Sequence, residues 1–237
     1  MILCWEYLLI SMNRFDLTGK YIIITGGSGF LGQKHAEAIA EIGGIPVIID
    51  IEKNKILHTV EKLREVYNVK ALGYACNITI EDEINRVNSL LLGETNVIHG
   101  LINNAANNPK MNGNKSNRLE NFSIQQWNDD FNVGVTGAFL CSRVFGNVMA
   151  KNGFGVIINI SSDLGIIAPD NRIYHQEDLS EHNQHVKPVS YSVTKHAIIG
   201  LTKYLATYWA EEGVRCNTMC PGGVENGQSE YFLQKVS

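Results

Sequence analysis

The sequence lacks the marks of several protein classes. Its five cysteines, Cys4, Cys76, Cys141, Cys216 and Cys220, are odd in number and contain no C-x-x-C pair. That pattern argues against a disulfide framework and for reduced, mostly buried thiols in a cytoplasmic protein. Cys216 and Cys220 have helical spacing, but Pro221 and the strand-like run Val214-Arg215-Cys216 oppose a helix there. Basic residues form no block and the net charge is −4, so nothing points to nucleic acid as a partner. With 44% apolar residues in 237, the chain is neither disordered nor short of core. No linker, repeat or low-complexity tract divides it. Residues 1–17 read as an N-terminal extension, and 18–237 as a single domain. Met1 to Ser11 is apolar but contains Glu6, has no basic start and is too short to span a bilayer. No membrane partner is expected. Met12 is a plausible alternative start, and a weak surface anchor is the sharper alternative for the extension.

The first informative region begins at Tyr21-Ile22-Ile23-Ile24-Thr25, a β-branched run of the kind buried on both faces of a sheet. Gly26-Gly27-Ser28-Gly29-Phe30-Leu31-Gly32 follows, and then helical character from Gln33 to Ile42. Gly27, Gly29 and Gly32 fit G-x-G-x-x-G between strand and helix. This spacing permits a tight turn, close approach to a pyrophosphate, and packing of the helix on the sheet. A bare glycine triplet also suits a structural turn; the strand-helix-strand context favours a dinucleotide. The next strand, Ile45 to Ile49, ends in Asp50, eighteen residues after Gly32. A carboxylate there can accept hydrogen bonds from ribose hydroxyls and would repel a 2′-phosphate, so NAD is preferred over NADP. Lys53 and Lys55 weigh against that preference.

A second region is Tyr191-Ser-Val-Thr-Lys195. Tyrosine and lysine four residues apart share one face of a helix. An ammonium beside a phenol favours phenolate and so lowers a pKa that is otherwise about 10. Such a tyrosine can exchange a proton with an alcohol or carbonyl. Between the two regions, strands are expected at Ala71–Cys76, His99–Ile102 and Val156–Ile160, and a last one at Val214–Met219. Helices are expected at Glu81–Leu92 and Asn121–Met149, the latter containing Gly134, Gly137 and Gly146. Another is capped by Ser190 and runs to about Glu212. Six strands alternating with helices imply an α/β fold with a doubly wound parallel sheet, three layers deep. Ligands would then sit beyond the C-terminal strand ends, where every residue singled out above falls.

The ordered set Thr25-Gly26-Gly27-Ser28-Gly29-Phe30-Leu31-Gly32, Asn103-Asn104-Ala105-Ala106, Ile160-Ser161-Ser162, Tyr191-x-x-x-Lys195 and Pro221-Gly222-Gly223 resembles the short-chain dehydrogenase/reductase family. The resemblance implies a Rossmann fold, a nicotinamide cofactor and hydride transfer at an alcohol or ketone carbon. It implies Tyr191 as acid/base, Lys195 as holder of the nicotinamide ribose and tuner of Tyr191, and Ser162 as ligand of the substrate oxygen. Ser161 is then a strand-end hydroxyl bonded to backbone. Cofactor contacts are implied for Gly26, Gly27, Ser28, Gly29, Phe30, Leu31 and Gly32. They are implied also for Asp50, Ile51, Asn77, Ile78, Asn104, Ala105 and Ala106, for Tyr191 and Lys195, and for Pro221, Gly222 and Val224. Asn77 stands where relatives often have aspartate, and its amide oxygen can accept from the adenine amine. Asn103 matches a residue that steadies the cofactor-side strands. No metal is implied.

The chain departs from that family in three places. Phe30 stands where many members have glycine, giving a spacing nearer T-G-x-x-G-x-x-G. Gly134 aligns with the usual relay asparagine, and Asn132, about 200° away around a helix, is no simple substitute. The chain ends at Ser237, where relatives continue to a further strand that commonly supports a subunit interface, so the homodimer or homotetramer usual in the family is implied without that strand. The segment 166–189 is longer than in compact members and reads as a substrate loop. Its His175, His182 and His185 read as solvated rather than metal-binding, while Arg172, Lys187 and His185 could meet a phosphate.

Val156-Ile157-Ile158-Asn159-Ile160-Ser161-Ser162, Ile167-Ala168-Pro169 and Lys187-Pro188-Val189-Ser190-Tyr191 are similar to bacterial oxidoreductases of surface-glycan and flagellin-modification clusters. Leu201 to Ala206 and Pro221 to Asn226 extend the likeness. It implies a sugar, sugar phosphate or nucleotide sugar as substrate. A sugar epimerase or dehydratase working by transient oxidation, and a cofactor-binding protein without turnover, remain alternatives.

Overall fold

β-Branched runs supply the strands β1 (Tyr21–Thr25), β2 (Ile45–Asp50) and β5 (Gly155–Ile160), and more mixed segments supply β3 (Leu72–Ala75), β4 (Gly100–Asn103) and β6 (Val214–Met219). The computed structural model describes residues 15–107, 117–228 and 230–236, so the expectations for Met1–Ser11, Met12 and Cys4 lie outside the described residues. All strand pairs are parallel, in the order β3-β2-β1-β4-β5-β6. The order reverses direction between β1 and β4, where crossovers leave to opposite sides and open a crevice. β3 begins at Leu72 rather than Ala71, because the Ala71 carbonyl accepts from Arg64 Nη2 (2.6 Å) instead of joining the ladder.

Helices α1 (Phe30–Glu41), α2 (Lys53–Tyr67), α3 (Glu81–Glu94), α4 (Ile124–Phe131), α5 (Ala138–Lys151), α6 (Val189–Tyr208) and α7 (Glu230–Val236) complete the fold. Successive strand residues alternate between two cores. Ile24, Ile48 and Ile102 pack with Ile39 of α1 and Ile56, Val60 and Leu63 of α2. Ile23, Val47, Ile49 and Leu101 pack with Leu91 of α3, Phe145 of α5 and Leu205 of α6. With helices on both faces, the sheet is the expected Rossmann-like arrangement. The buried Cys76 and Cys216 have thiols pushed up to about 11 and about 12 by burial, and Cys141 is pushed higher still; all three are free.

Two expectations about helices need correction. The segment expected as one helix from Asn121 to Met149 begins at Ile124 and is interrupted by a π-helical turn, Asn132–Gly137, between α4 and α5. Two of its glycines serve close packing. A Cβ at Gly137 would lie 2.6 Å from Ile78 Cδ1, and one at Gly146 would lie 2.4 Å from the Trp209 ring. The other correction concerns α6, which starts at Val189 with Pro188 at its cap and stops at Tyr208, not Glu212. Ser190 does not cap it. Its hydroxyl instead donates a short hydrogen bond to Asp130 Oδ2 of α4. The early stop follows from Trp209, which is buried on Gly146 and leaves helical geometry so that the chain can turn into β6.

The 166–189 segment contains two short 3₁₀ turns, Asn171–Tyr174 and Glu181–Asn183. Gln184 braces it, accepting from Gln176 N and donating to the carbonyls of Gln176 and Leu179. Lys235 of α7 donates to the His175 carbonyl (2.6 Å), which ties the end of the described chain to this segment.

A buried polar network crosses the sheet. Asn103 Nδ2 donates to Ser142 Oγ (2.9 Å) and Asn159 Oδ1 (2.8 Å), and Asn159 Nδ2 donates to Thr202 Oγ1 (2.9 Å). Thr218 Oγ1 joins at 2.6 Å. β4, β5 and β6 are thereby tied to α5 and α6. Asn159→Leu would take away the partner of one Asn103 N–H, while Thr202 Oγ1 keeps the bond from Thr218. Since a buried unsatisfied group costs about 1–3 kcal/mol, a loss of that size is expected, read as a lower urea midpoint. An unchanged midpoint would mean that the network adds nothing net to stability.

Candidate active site

One cleft of about 1180 Å³ runs along the C-terminal strand ends. At one end, β1 turns into α1. Gly26 has φ +61°, a left-handed conformation that glycine adopts without a Cβ penalty. Gly32 packs directly on it: a Cβ there would lie 2.1 Å from the Gly26 carbonyl oxygen. Asn104 fastens the turn by donating to the carbonyls of Thr25 (3.0 Å) and Gly26 (3.2 Å). Thr25 Oγ1 in return accepts from the backbone of Asn104 and Ala105.

No side chain caps α1 at Gly29, so its first backbone N–H groups are left for a ligand. Ser28 Oγ is buried without a hydrogen-bond partner among the described residues. Asp50 stands beside this turn, accepting from Ser28 N at 3.1 Å and Ile51 N at 2.8 Å. An uncapped helix, an unpartnered hydroxyl, a cradle that a Cβ would fill and a carboxylate at the end of β2 together fit a dinucleotide. Lys55 is engaged by Glu52 at 2.5 Å.

At the other end, α6 presents Tyr191 and Lys195. Lys195 is buried, with 8% of its surface exposed, and its Nζ donates to the Ile160 carbonyl at 2.9 Å. Its own carbonyl accepts from Ser161 Oγ at 2.7 Å. Gly165 fits where a Cβ would strike both Ser161 Oγ and the Lys195 carbonyl. Both serines line the cleft, but the Ser161 hydroxyl is committed to the backbone, as expected, whereas that of Ser162 is bonded only to its neighbours Asp163 and Leu164. Ser162 Oγ donates to Asp163 Oδ1 (2.6 Å) and accepts from Leu164 N (3.2 Å). Lys195 Nζ lies 5.7 Å from the centre of the Tyr191 ring, and Lys187 Nζ only 3.7 Å from it.

Burial, and then the charge of Lys187, lower the Lys195 pKa to about 8. Lys187 is lowered as well, by burial, with Asp163 acting in the opposite direction. A second cavity of about 10 Å³ lies behind Tyr191 and Lys195, bounded by Asn103, Asp130 and Gly134. That is roughly the volume one water needs.

Ser162, Tyr191 and Lys195 share the main cleft with Gly26, Ser28, Gly29, Phe30, Leu31, Asp50, Ile51, Asn77 and Ile78. Asn104, Ala105, Ala106, Pro221, Gly222 and Val224 also line it. Gly27 and Gly32 do not. They lie behind the wall, Gly27 against the Ile24 carbonyl and Ile48, and Gly32 against Gly26, so their contribution is clearance rather than contact. Asn77 lines the cleft, but its amide oxygen already accepts from Thr79 N and Thr79 Oγ1. Two of its acceptor directions are therefore taken.

Asn132 reaches the main cleft, whereas Gly134 faces Thr194 and the small cavity. The π turn changes the phase on which the 200° argument rested. Tyr174 of the expected substrate loop lines the cleft, as does Asp163, which was not singled out from sequence. Asp163 directly follows the predicted serine pair, which was the available signal. The three cations suggested for a phosphate separate. Arg172 is exposed and forked on Asp170, His185 does not line the cleft, and Lys187 does. Among the described residues no group of three His, Cys, Asp or Glu side chains is placed to hold a metal.

Residues 20–174 match the short chain dehydrogenase family, and residues 178–235 match a family described as enoyl-(acyl carrier protein) reductase. An uncharacterized oxidoreductase of Thermotoga maritima is 31% identical over 221 residues, covering 93% of this chain and 77% of the relative. The post-translational flagellin modification protein A of Campylobacter coli is 26% identical, covering 92% of this chain and 82% of its own. Among solved structures, NAD+-bound xylitol dehydrogenase superposes with a TM-score of 0.77 at 24% identity, over 89% of this chain and 73% of that one. A gluconate 5-dehydrogenase from Burkholderia cenocepacia, in complex with NADP and tartrate, also gives 0.77 at 24% identity, over 91% and 76%. The chain belongs to the short-chain dehydrogenase/reductase family of oxidoreductases, whose fold binds NAD(P) and whose members act on small molecules.

The buried Lys195 makes a stability prediction. Its folded pKa of about 8 lies below the ordinary lysine value of 10.5. The folded state therefore carries an unfavourable charge that is fully present below about pH 8. That cost is relieved as pH rises towards 10.5, because the unfolded chain binds the extra proton in this window. The difference in melting temperature, Lys195→Met minus wild type, is expected to fall progressively across the window. A pH-independent difference would contradict the placement of a charged Lys195 in a desolvated site.

Proposed function

We propose that this chain is an NAD(H)-dependent oxidoreductase that interconverts an alcohol and a ketone on a carbohydrate. The substrate would be a sugar, sugar phosphate or nucleotide sugar of surface-glycan biosynthesis. One observation carries the reading: Tyr191, Ser162 and Lys195 converge at one end of a single cleft, and its other end holds Asp50 and the uncapped start of α1. The flagellin modification protein among the relatives, and the xylitol and gluconate dehydrogenases among the structures, support a polyhydroxylated substrate. Asp50 supports NAD over NADP, since its carboxylate suits two ribose hydroxyls and opposes a phosphate.

Bound at the cleft, the nicotinamide supplies hydride or accepts it. The chain's own residues handle the oxygen and its proton. In the oxidative direction Tyr191 is the base that takes the hydroxyl proton, with Lys195 beside it on the same helix face. Ser162 has one proton, which it gives to Asp163. Turning that proton to a substrate oxygen breaks the Asp163 bond, while Leu164 N still holds the serine oxygen in place. Reduction reverses each role. The free thiols Cys76, Cys141, Cys216 and Cys220 support a cytoplasmic location.

Fluorescence titration with NADH and NADPH tests the cofactor side. NADH is expected to bind more tightly, and Asp50→Ala to narrow the difference; equal affinities in wild type would remove the case for NAD. Tyr191→Phe is expected to lower kcat by about 10²–10⁴-fold, the usual range for a lost acid/base. Turnover that survives the change would exclude Tyr191 as that group.

A further inference from the structure

The loop cation Lys187 is not needed for the reaction as set out above, yet it occupies the reacting end of the cleft. Its ammonium lies 3.7 Å from the centre of the Tyr191 ring. That is closer than Lys195, whose Nζ is spent on the Ile160 carbonyl. We propose that Lys187 determines substrate specificity, selecting a carbohydrate that carries an anionic group, a carboxylate or a phosphate, close to the carbon that reacts. This rests on the oxidoreductase reading of the same site and narrows its substrate class.

The geometry isolates Lys187 among the cations of its loop. Its backbone is pinned where Lys187 N donates to Asn171 Oδ1 at 3.1 Å, so the side chain leaves a braced segment rather than a free one. Arg172 is bidentate on Asp170 and stands 91% exposed. Lys187 is half-buried and lines the cleft, and among the described residues no carboxylate closes on its Nζ. An ammonium has three N–H donors and no acceptor capacity. The face of Tyr191 offsets part of the cost of withdrawing this charge from water, but it accepts no ordinary hydrogen bond.

Asp163 is the acidic group whose field reaches Lys187, and its Oδ1 is already shared by Ser162 Oγ and Leu164 N. Lys187 and Lys195 therefore set two cations around Tyr191 against one carboxylate, whose Oδ1 is already committed. A substrate oxygen bearing negative charge supplies the acceptor that this arrangement lacks. It would do so beside Tyr191, where a neutral sugar offers only hydroxyls.

The test uses the full chain, with and without NADH, titrated by calorimetry with sorbitol, gluconate and sorbitol 6-phosphate. These share a carbon skeleton and differ in charge, and the last two separate carboxylate from phosphate. A hydrogen bond to a charged group contributes about 1.5–3 kcal/mol, so at least one anion should bind about 10- to 100-fold more tightly than sorbitol. Lys187→Met, which keeps an apolar stem on the Tyr191 ring, is expected to erase that advantage. Lys187→Arg, which keeps the charge, is expected to retain most of it and shows that the segment tolerates substitution. Three ligands that bind alike or not at all, or an advantage that survives Lys187→Met, would overturn the proposal. Failure of the underlying reading is seen separately, as loss of NADH binding by wild type or turnover that survives Tyr191→Phe.

Discussion

The site depends on a reciprocal clamp between β5 and α6. Lys195 sends its ammonium to the Ile160 carbonyl, and Ser161, the next residue, returns a hydroxyl to the Lys195 carbonyl. Gly165 makes this approach possible, because any side chain there would collide with both partners. One turn before Lys195 on the same helix face is Tyr191, and one residue after Ser161 is Ser162. Locking helix to strand at this point therefore sets the tyrosine and serine relative to each other. A buried ammonium with a single carbonyl partner is costly in isolation, which is why its pKa falls. The fold tolerates the cost because α6 is held elsewhere, by Ser190 on Asp130 and by Thr202 in the polar network.

The opposite end of the cleft is held by clearance rather than charge. Gly26, Gly27 and Gly32 let β1 reverse into α1 with almost no space between backbone segments, and Asn104 stitches the turn to β4. Both ends thus meet at the place where the strand order reverses. Asn103 extends the same connection inward, since its amide spans α5 and β5. Cofactor end and reacting end are joined by polar contacts through the sheet, which suits a site whose two ligands must meet at one atom.

Two cations and one carboxylate set the charge around Tyr191. Lys195 comes from the helix and Lys187 from the preceding loop, and both approach the same ring. Asp163 opposes them while holding the Ser162 proton. The reacting end therefore carries a positive bias that the cofactor end, with Asp50, does not share. A braced segment supplies the additional cation, because Gln184 ties the loop to itself and Lys235 of α7 bonds to the His175 carbonyl.

Local pattern was enough for β1, β2, β5 and β6, because β-branched runs between turn residues have few other uses. Tyr191 and Lys195 were legible for a related reason, since helix geometry puts any i, i+4 pair on one face. Helix α2 went unassigned, although Ile56, Val60 and Leu63 mark its buried stripe at helical spacing. Other features had no local signature. Ser190 looked like a cap until α4 brought Asp130 within reach, and α6 ends where Trp209 finds Gly146 rather than where its helical residues stop. The π turn redirected Asn132 to the cleft, and a packed loop put Lys187 on a ring four residues further along the chain. The sequence by itself determined the sheet and the glycine turn, and put Tyr191 and Lys195 on one helix face, because each follows from backbone sterics or fixed helical spacing. Only the tertiary structure decided which hydroxyl is committed to the backbone, that Asn132 reaches the cleft and which loop cation enters it. Those outcomes depend on contacts between segments far apart in sequence, and no local periodicity encodes them.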